Sequence, residues 1–154
     1  MACWKNSHLK SRLRLTASPQ AAAAVELMRQ KMQDLGLDGV HLEPILVNRW
    51  VRGKEEAKIV NSESQGTVPL SICASGGGVG TPELGITAPV LEVKSFQNLS
   101  PVPAANVVGQ ITGAEFSEEI ILLGGHLDSW DLGTGAHDDG AGCVQAVEAL
   151  RLIK

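Results

Sequence analysis

The residues of this chain best suited to chemistry lie in one stretch, Gly124 to Gly142, GGHLDSWDLGTGAHDDGAG. It offers an imidazole at His126 and carboxylates at Asp128, Asp138 and Asp139. Imidazole nitrogen and carboxylate oxygen are both good zinc ligands, at roughly 2.0–2.2 Å from the ion. His126 and Asp138 stand twelve residues apart, with Gly133, Gly135 and Gly140 nearby to allow a tight path. The two oxygens of an aspartate can also bridge two ions, which two-metal hydrolases hold roughly 3.5–4 Å apart. Asp128 follows His126 by two residues, so on a strand both side chains leave one face. Asp128 could then orient the imidazole from behind. Asp138 beside Asp139 is a like-charge pair that a cation or a helix dipole must compensate. Plain structural roles compete with these. Asp-Asp-Gly before a helix is ordinary cap chemistry, and a His near a strand end is commonly just hydrogen-bonded. His137 is a further potential ligand, although adjacent residues in a strand-to-helix turn rarely serve one site. His8 and His41 read as surface or strand residues.

The elements on either side must position this stretch. Ile120 to Leu123 is a continuous apolar run bounded by charge and glycine, which predicts a strand buried on both faces of a sheet. From Gly140 the pattern turns helical, with Val144, Val147, Leu150 and Ile153 near helical spacing. Ligand sites of open α/β sheets form where strand C-termini meet helix N-termini, so a His at the strand end and an Asp at the helix start can share one crevice. Upstream, Ser18 as N-cap and Pro19 at the first position start a helix predicted over Pro19 to Leu35. Val25, Met28, Met32 and Leu35 form its apolar stripe, and Gly36 stops it. Val40 to Glu43 alternates as a strand does, Pro44 breaks or bulges the ladder, and Ile45 to Val47 resumes it. Further short strands are expected at Ala57 to Val60, Val68 to Ala74 and Pro89 to Val93. Ser75 to Gly80 reads as a flexible turn. It lacks the Gly-Lys-Ser/Thr ending of a phosphate loop. Ser95 to Ala105, with Pro101 and Pro103, reads as a loop, and Asn106 to Thr112 as a strand.

With 154 residues the chain has room for one ordinary domain. It is 44% hydrophobic but only 3% aromatic, so a core must come mainly from Val, Leu, Ile and Ala. A net charge of −4 argues against a nucleic-acid partner. No apolar run approaches the roughly 18 residues that span a bilayer, which argues against a membrane partner. Met1 to Thr16 is basic and polar, without the apolar core of a signal peptide. Cys3, Cys73 and Cys143 are widely spaced and odd in number, matching no zinc finger and implying no disulfide framework.

Gly-Gly-His126-Leu-Asp128-Ser-Trp-Asp, followed by Gly-x-Gly-Ala-x-Asp138-Asp139-Gly-Ala-Gly, resembles the metal-site segment of the M28 family of co-catalytic zinc peptidases. His41-Leu-Glu-Pro, Trp50-Val-Arg-Gly-Lys-Glu-Glu, Gly80-Thr-Pro-Glu-Leu-Gly-Ile-Thr-Ala and Ser95-Phe96 look like the leading segment of such a peptidase. Asn106 to Gly113 looks like the strand entering its catalytic core. The likeness runs from about Thr16 to Lys154. It implies a partial zinc-peptidase-type α/β/α domain with a mixed sheet. Carried over by position, His126 would bind one zinc, Asp138 would bridge two, and Asp128 would be the catalytic-site aspartate that supports the metal centre. Asp139 would be a helix cap. The resemblance further implies a peptide substrate, cleavage as an exopeptidase or dipeptidase, a homodimer in the parent family, and a secreted or lysosomal home.

The chain also departs from the family's pattern. The resemblance calls for a downstream Glu-Glu pair (general base and zinc ligand), another Asp and a distal His. Glu118-Glu119 and Glu55-Glu56 lie in the wrong segments to supply the pair. The expected layout is an N-terminal extension at 1–17, a leading peptidase segment at 18–97, a junction at 98–105 in place of the family's inserted protease-associated domain, and the first part of the catalytic core at 106–154. His137 stands where relatives tend to carry an apolar or amide residue. The expectation is a fragment of a zinc-dependent peptidase, truncated at its C-terminus and catalytically silent alone, with a broad thermal transition. Two alternatives stay open: a non-catalytic peptidase-derived binding protein, and a gene-model fragment.

Overall fold

The computed structural model describes residues 14–73, 81–84, 86–88 and 91–154. The turn expected at Ser75 to Gly80 and the stretch Met1 to Ser11 lie outside them. The fold is α/β, with α1 (Pro19–Asp34), β1 (Asp38–Ser62), β2 (Gly66–Leu70), β3 (Ile86–Ala88), β4 (Leu91–Gln110) and α2 (Ala141–Ile153). The chain divides into two compact units, one of Met1–Asn48 with Pro101–Lys154 and the other Arg49–Ser100. The strand order is β2-β1-β4-β3.

In the first unit, α1 starts as its residues dictate. The Ser18 hydroxyl accepts from the Ala21 N–H at 3.1 Å, and Pro19 needs no partner for an N–H it lacks. Gly36 takes a left-handed φ of +69° just past the end. Of the expected stripe Met28 is buried and Val25, Met32 and Leu35 are half-buried, while Ala21 and Ala24 complete the buried face. Toward the C-terminal end of the helix, Gly109 of β4 faces Met32. A Cβ at Gly109 would sit 3.2 Å from the Met32 sulfur and 3.3 Å from Val40. The start of β1 meets the end of β4, with the Thr112 N–H on the Asp38 carboxylate at 3.3 Å.

The second unit contains the far ends of both long strands. β2 pairs antiparallel with β1 from Ala57↔Leu70 to Ser62↔Gly66, and β3 pairs antiparallel with β4 from Ile86↔Val93 to Ala88↔Leu91. Trp50 and Ala57 are buried there, and the Arg52 guanidinium lies 4.8 Å from the Trp50 ring centre.

Three expectations are corrected. Of the two outcomes expected at Pro44, the break does not occur, and Ile45 to Val47 continue the strand, since β1 runs on from Asp38 to Ser62. Ser95 to Ala105, expected as a loop, lies within β4. Among the described residues, these prolines fall on stretches outside the β2 and β3 pairings, where a strand with one sheet neighbour can carry a proline on its unpaired edge. Pro101 and Pro103 are two apart, so both nitrogens face the same edge. The third correction is larger. Ile120 to Leu123 forms no strand and is not buried: Ile120, Ile121 and Leu122 are 88%, 90% and 89% exposed. A strand exists only where a neighbour pairs its backbone, and no described strand lies beside this run.

Candidate metal site

The stretch after Gly124 follows an irregular path to α2. Gly135, at φ +62°, turns the chain into a loose turn over Ala136–Gly140, in which Asp138 has non-helical φ and ψ of −112° and 93°. This turn brings Asp138 back to His126. Gly125 makes a second close approach: a Cβ there would lie 2.7 Å from the Cys143 nitrogen and 2.8 Å from an Asp139 oxygen. Only glycine lets the loop reach the first turn of α2.

His126 sits at the centre of the arrangement. Its Nε2 is 3.0 Å from Asp138 Oδ1, and its Nδ1 is 3.0 Å from Asp128 Oδ1 and 3.1 Å from the Asp128 carbonyl. Two different carboxylates thus grip the two ring nitrogens. Burial pulls the His126 pKa down, but the bonds to the Asp128 carbonyl and to the Asp138 and Asp128 carboxylates outweigh it and leave it raised. Asp139 points the other way. It accepts from the Gly142 N–H at 3.1 Å, as a helix cap does, and from the His126 N–H at 3.3 Å. Cys143, buried on α2, donates its thiol to the His126 carbonyl at 3.3 Å; burial and the nearby Asp139 charge push its pKa up. His137 is exposed on the turn, and His41 is exposed on β1, as expected of a strand residue.

The donor set fits a metal by chemistry, in part. An imidazole Nε2 faces a carboxylate oxygen, and the opposite ring nitrogen is held by a second carboxylate, the pattern that fixes tautomer and orientation in metal-binding histidines. Among the described residues, no three His, Cys, Asp or Glu side chains are grouped to hold an ion. His126 Nε2 and Asp138 Oδ1 are the facing pair of potential donor atoms. Glu55 is engaged instead with Arg52 at 2.7 Å, and the backbone of Glu119 closes a turn onto Phe116. Beside His126 and Asp128, a cavity of about 890 Å³ opens, lined by apolar side chains such as Met28, Val47, Val108, Val147 and Leu150.

Sequence reasoning missed the residues that hold the loop. Arg14 and Thr16 fell in the stretch expected to be an extension. Arg14 is only 3% exposed. Its Nε donates to the Leu127 carbonyl at 2.8 Å, Nη1 to Thr134 at 3.2 Å and Nη2 to Gly135 at 3.0 Å. Thr16 donates its hydroxyl to Asp128 Oδ2. The one available signal was local: an Arg and a Thr just before a capped helix. Nothing there links them to a loop more than a hundred residues away.

Residues 106–154 match the model of peptidase family M28. Carboxypeptidase Q from Bos taurus is 26% identical in an alignment of 245 positions that covers 92% of this chain and 51% of that protein. The Rattus norvegicus protein of the same name is 27% identical over the same shares, and the Homo sapiens one 26%. The alignments are longer than the chain itself, so these relatives hold positions with no counterpart here. The chain spans about half of their length. The crystal structure of a peptidase M28 precursor from Shewanella amazonensis SB2B superposes with a TM-score of 0.69 at 21% identity, covering 86% of this chain and 55% of that one, which shows a shared fold.

Proposed function

From a chain whose residues 106–154 match peptidase family M28 and which is related to carboxypeptidase Q, we propose a zinc-dependent peptidase segment that holds half of a two-metal centre. The observation that carries this reading is the double grip on His126, with Nε2 3.0 Å from Asp138 Oδ1 and Nδ1 3.0 Å from Asp128 Oδ1. Asp128 holds a ring proton at Nδ1, so that when an ion displaces the Nε2 proton, the lone pair left there would face the ion beside Asp138. His126 and Asp138 would hold the ion, with Asp138 free to offer its second oxygen to another. Zinc, when bound, supplies a Lewis acid that activates water against a peptide carbonyl. The apolar cavity beside His126 offers room for substrate side chains. The reaction class is hydrolysis of peptide bonds, as an exopeptidase or dipeptidase. A general-base carboxylate and the further ligands are not brought to His126 by the described residues, so this polypeptide alone is catalytically silent.

The test is zinc titration of the purified chain beside His126→Ala and Asp138→Ala, together with a dipeptide hydrolysis assay. The expected result is one weakly held zinc, lost in both variants, and no turnover. Zinc binding indifferent to both substitutions would overturn the site. Chelator-sensitive hydrolysis by the chain alone would overturn its silence.

A further inference from the structure

We propose that Arg14 and Thr16 are positioning residues that set the orientation of the His126 ring, an inference that rests on the half-site reading above. The two act at successive levels. Arg14 closes the loop that carries Asp128. Its guanidinium reaches carbonyls at both ends of that loop, Leu127 on one side and Thr134 and Gly135 on the other. Its backbone adds two more links, as the Ser129 N–H donates to the Arg14 carbonyl at 2.8 Å and the Arg14 N–H donates to the Ser129 hydroxyl at 3.3 Å. The residues before and after Asp128 are therefore both tied to Arg14. A guanidinium this deeply buried loses much of its hydration, and the three carbonyls replace it. The loop is shaped around that fork. Ser129 is itself buried, and a Cβ on Gly135 would collide with the Arg14 Nη2 and with Ser129.

Thr16 then acts on the side chain that Arg14 has placed. Its hydroxyl holds Asp128 Oδ2, while Asp128 Oδ1 accepts from His126 Nδ1. The relay runs from hydroxyl to carboxylate to imidazole, and it ends with Nε2 facing Asp138. An unanchored Asp128 can rotate about χ1 and χ2, and the ring it holds would then sample other rotamers and tautomers. Lysine cannot replace Arg14, because one ammonium has no planar fork to span three carbonyls.

The experiment uses the full chain with 15N-labelled histidine in four forms: unaltered, Thr16→Val, Thr16→Ser and Arg14→Lys. The ring nitrogen resonances of His126 are read in the metal-free protein, and zinc affinity is read by competition. Backbone amide signals of α1 and α2 serve as the folding control. Thr16→Val is expected to weaken zinc about 10- to 100-fold and to move the His126 ring signals toward tautomer exchange, with the helix signals unchanged. Thr16→Ser is expected to restore both readouts, and Arg14→Lys to resemble Thr16→Val. If Arg14→Lys loses its helix signals, the Thr16 pair carries the decision. Ring signals and affinity unchanged in Thr16→Val would overturn the proposal, as would a Thr16→Ser chain as impaired as Thr16→Val. If the unaltered chain binds no zinc, the half-site reading falls, and the ring signals still decide whether Arg14 and Thr16 position His126.

Discussion

Two stretches flank Gly124, Gly125 and His126, and they fare in opposite ways. Ile120 to Leu123 is the more hydrophobic of the two, yet three of its four side chains are almost fully exposed and none of it is strand. Leu127 to Gly135 is richer in polar and glycine residues, yet it is tied down by the side chain and backbone of Arg14 and contains the buried Ser129. Apolar character favours burial but does not say against what. A hydrogen-bonded loop needs only its specific partners, and here those lie in the same compact unit. A buried strand needs a neighbour along its whole edge and cover on two faces. The first requirement is met by one arginine. The second is not met by any described element.

Substitution at each stretch sharpens this contrast. Arg14→Met keeps an apolar stem but leaves the Leu127, Thr134 and Gly135 carbonyls without their charged donor. It should cost about 3 kcal/mol, measured as a lowered urea midpoint. Ile121→Lys, at the most exposed position of the run, should change stability by less than about 0.5 kcal/mol while raising solubility, since an exposed apolar run is an aggregation liability. A large loss from Ile121→Lys would break the comparison, because it would mean the run is covered in solution.

An effect smaller than that of Arg14→Met is expected away from both stretches. Ser18→Ala removes the acceptor of the Ala21 N–H and should destabilise by about 1 kcal/mol. If the same urea series shows no shift, α1 is held by its Ala21, Ala24 and Met28 face alone.

The smallest effect is kinetic. Burial and Asp139 raise the Cys143 pKa, so its thiol stays protonated at pH values where an ordinary thiol has begun to ionise. Alkylation of Cys143 should be slower than that of the exposed Cys73, and its rate should still climb with pH after an ordinary thiol has levelled off. Mass spectrometry of labelled peptides checks this, and equal rates at both cysteines would mean that the His126 loop opens away from α2.

Much of the local structure was legible in the residues. Ser18-Pro19 and Gly36 mark the ends of α1 because cap and turn chemistry is decided by near neighbours. The helix after Gly140 and the cap-like bond of Asp139 to Gly142 follow from the same short-range rules. The strand reading of Asn106 to Thr112 holds as far as Gln110. The prolines misled because their effect depends on whether a second strand lies alongside, which is not a local property. Arg14 was illegible for a related reason: its partners are over a hundred positions away, and nothing in its own neighbourhood marks it as buried.

The sequence by itself determined the chemistry on offer: the imidazole of His126 and the carboxylates of Asp128, Asp138 and Asp139, spaced by glycines that allow a tight return, with a helix to follow. Only the tertiary structure decided what each group does. Asp138 and Asp128 take opposite nitrogens of His126, Asp139 turns to the helix, and Thr16 and Arg14 reach in from the start of the chain. The reason is physical. Caps and turns are closed by residues three or four positions apart, whereas a ring's orientation and a strand's existence depend on neighbours that only the folded chain brings within hydrogen-bond distance.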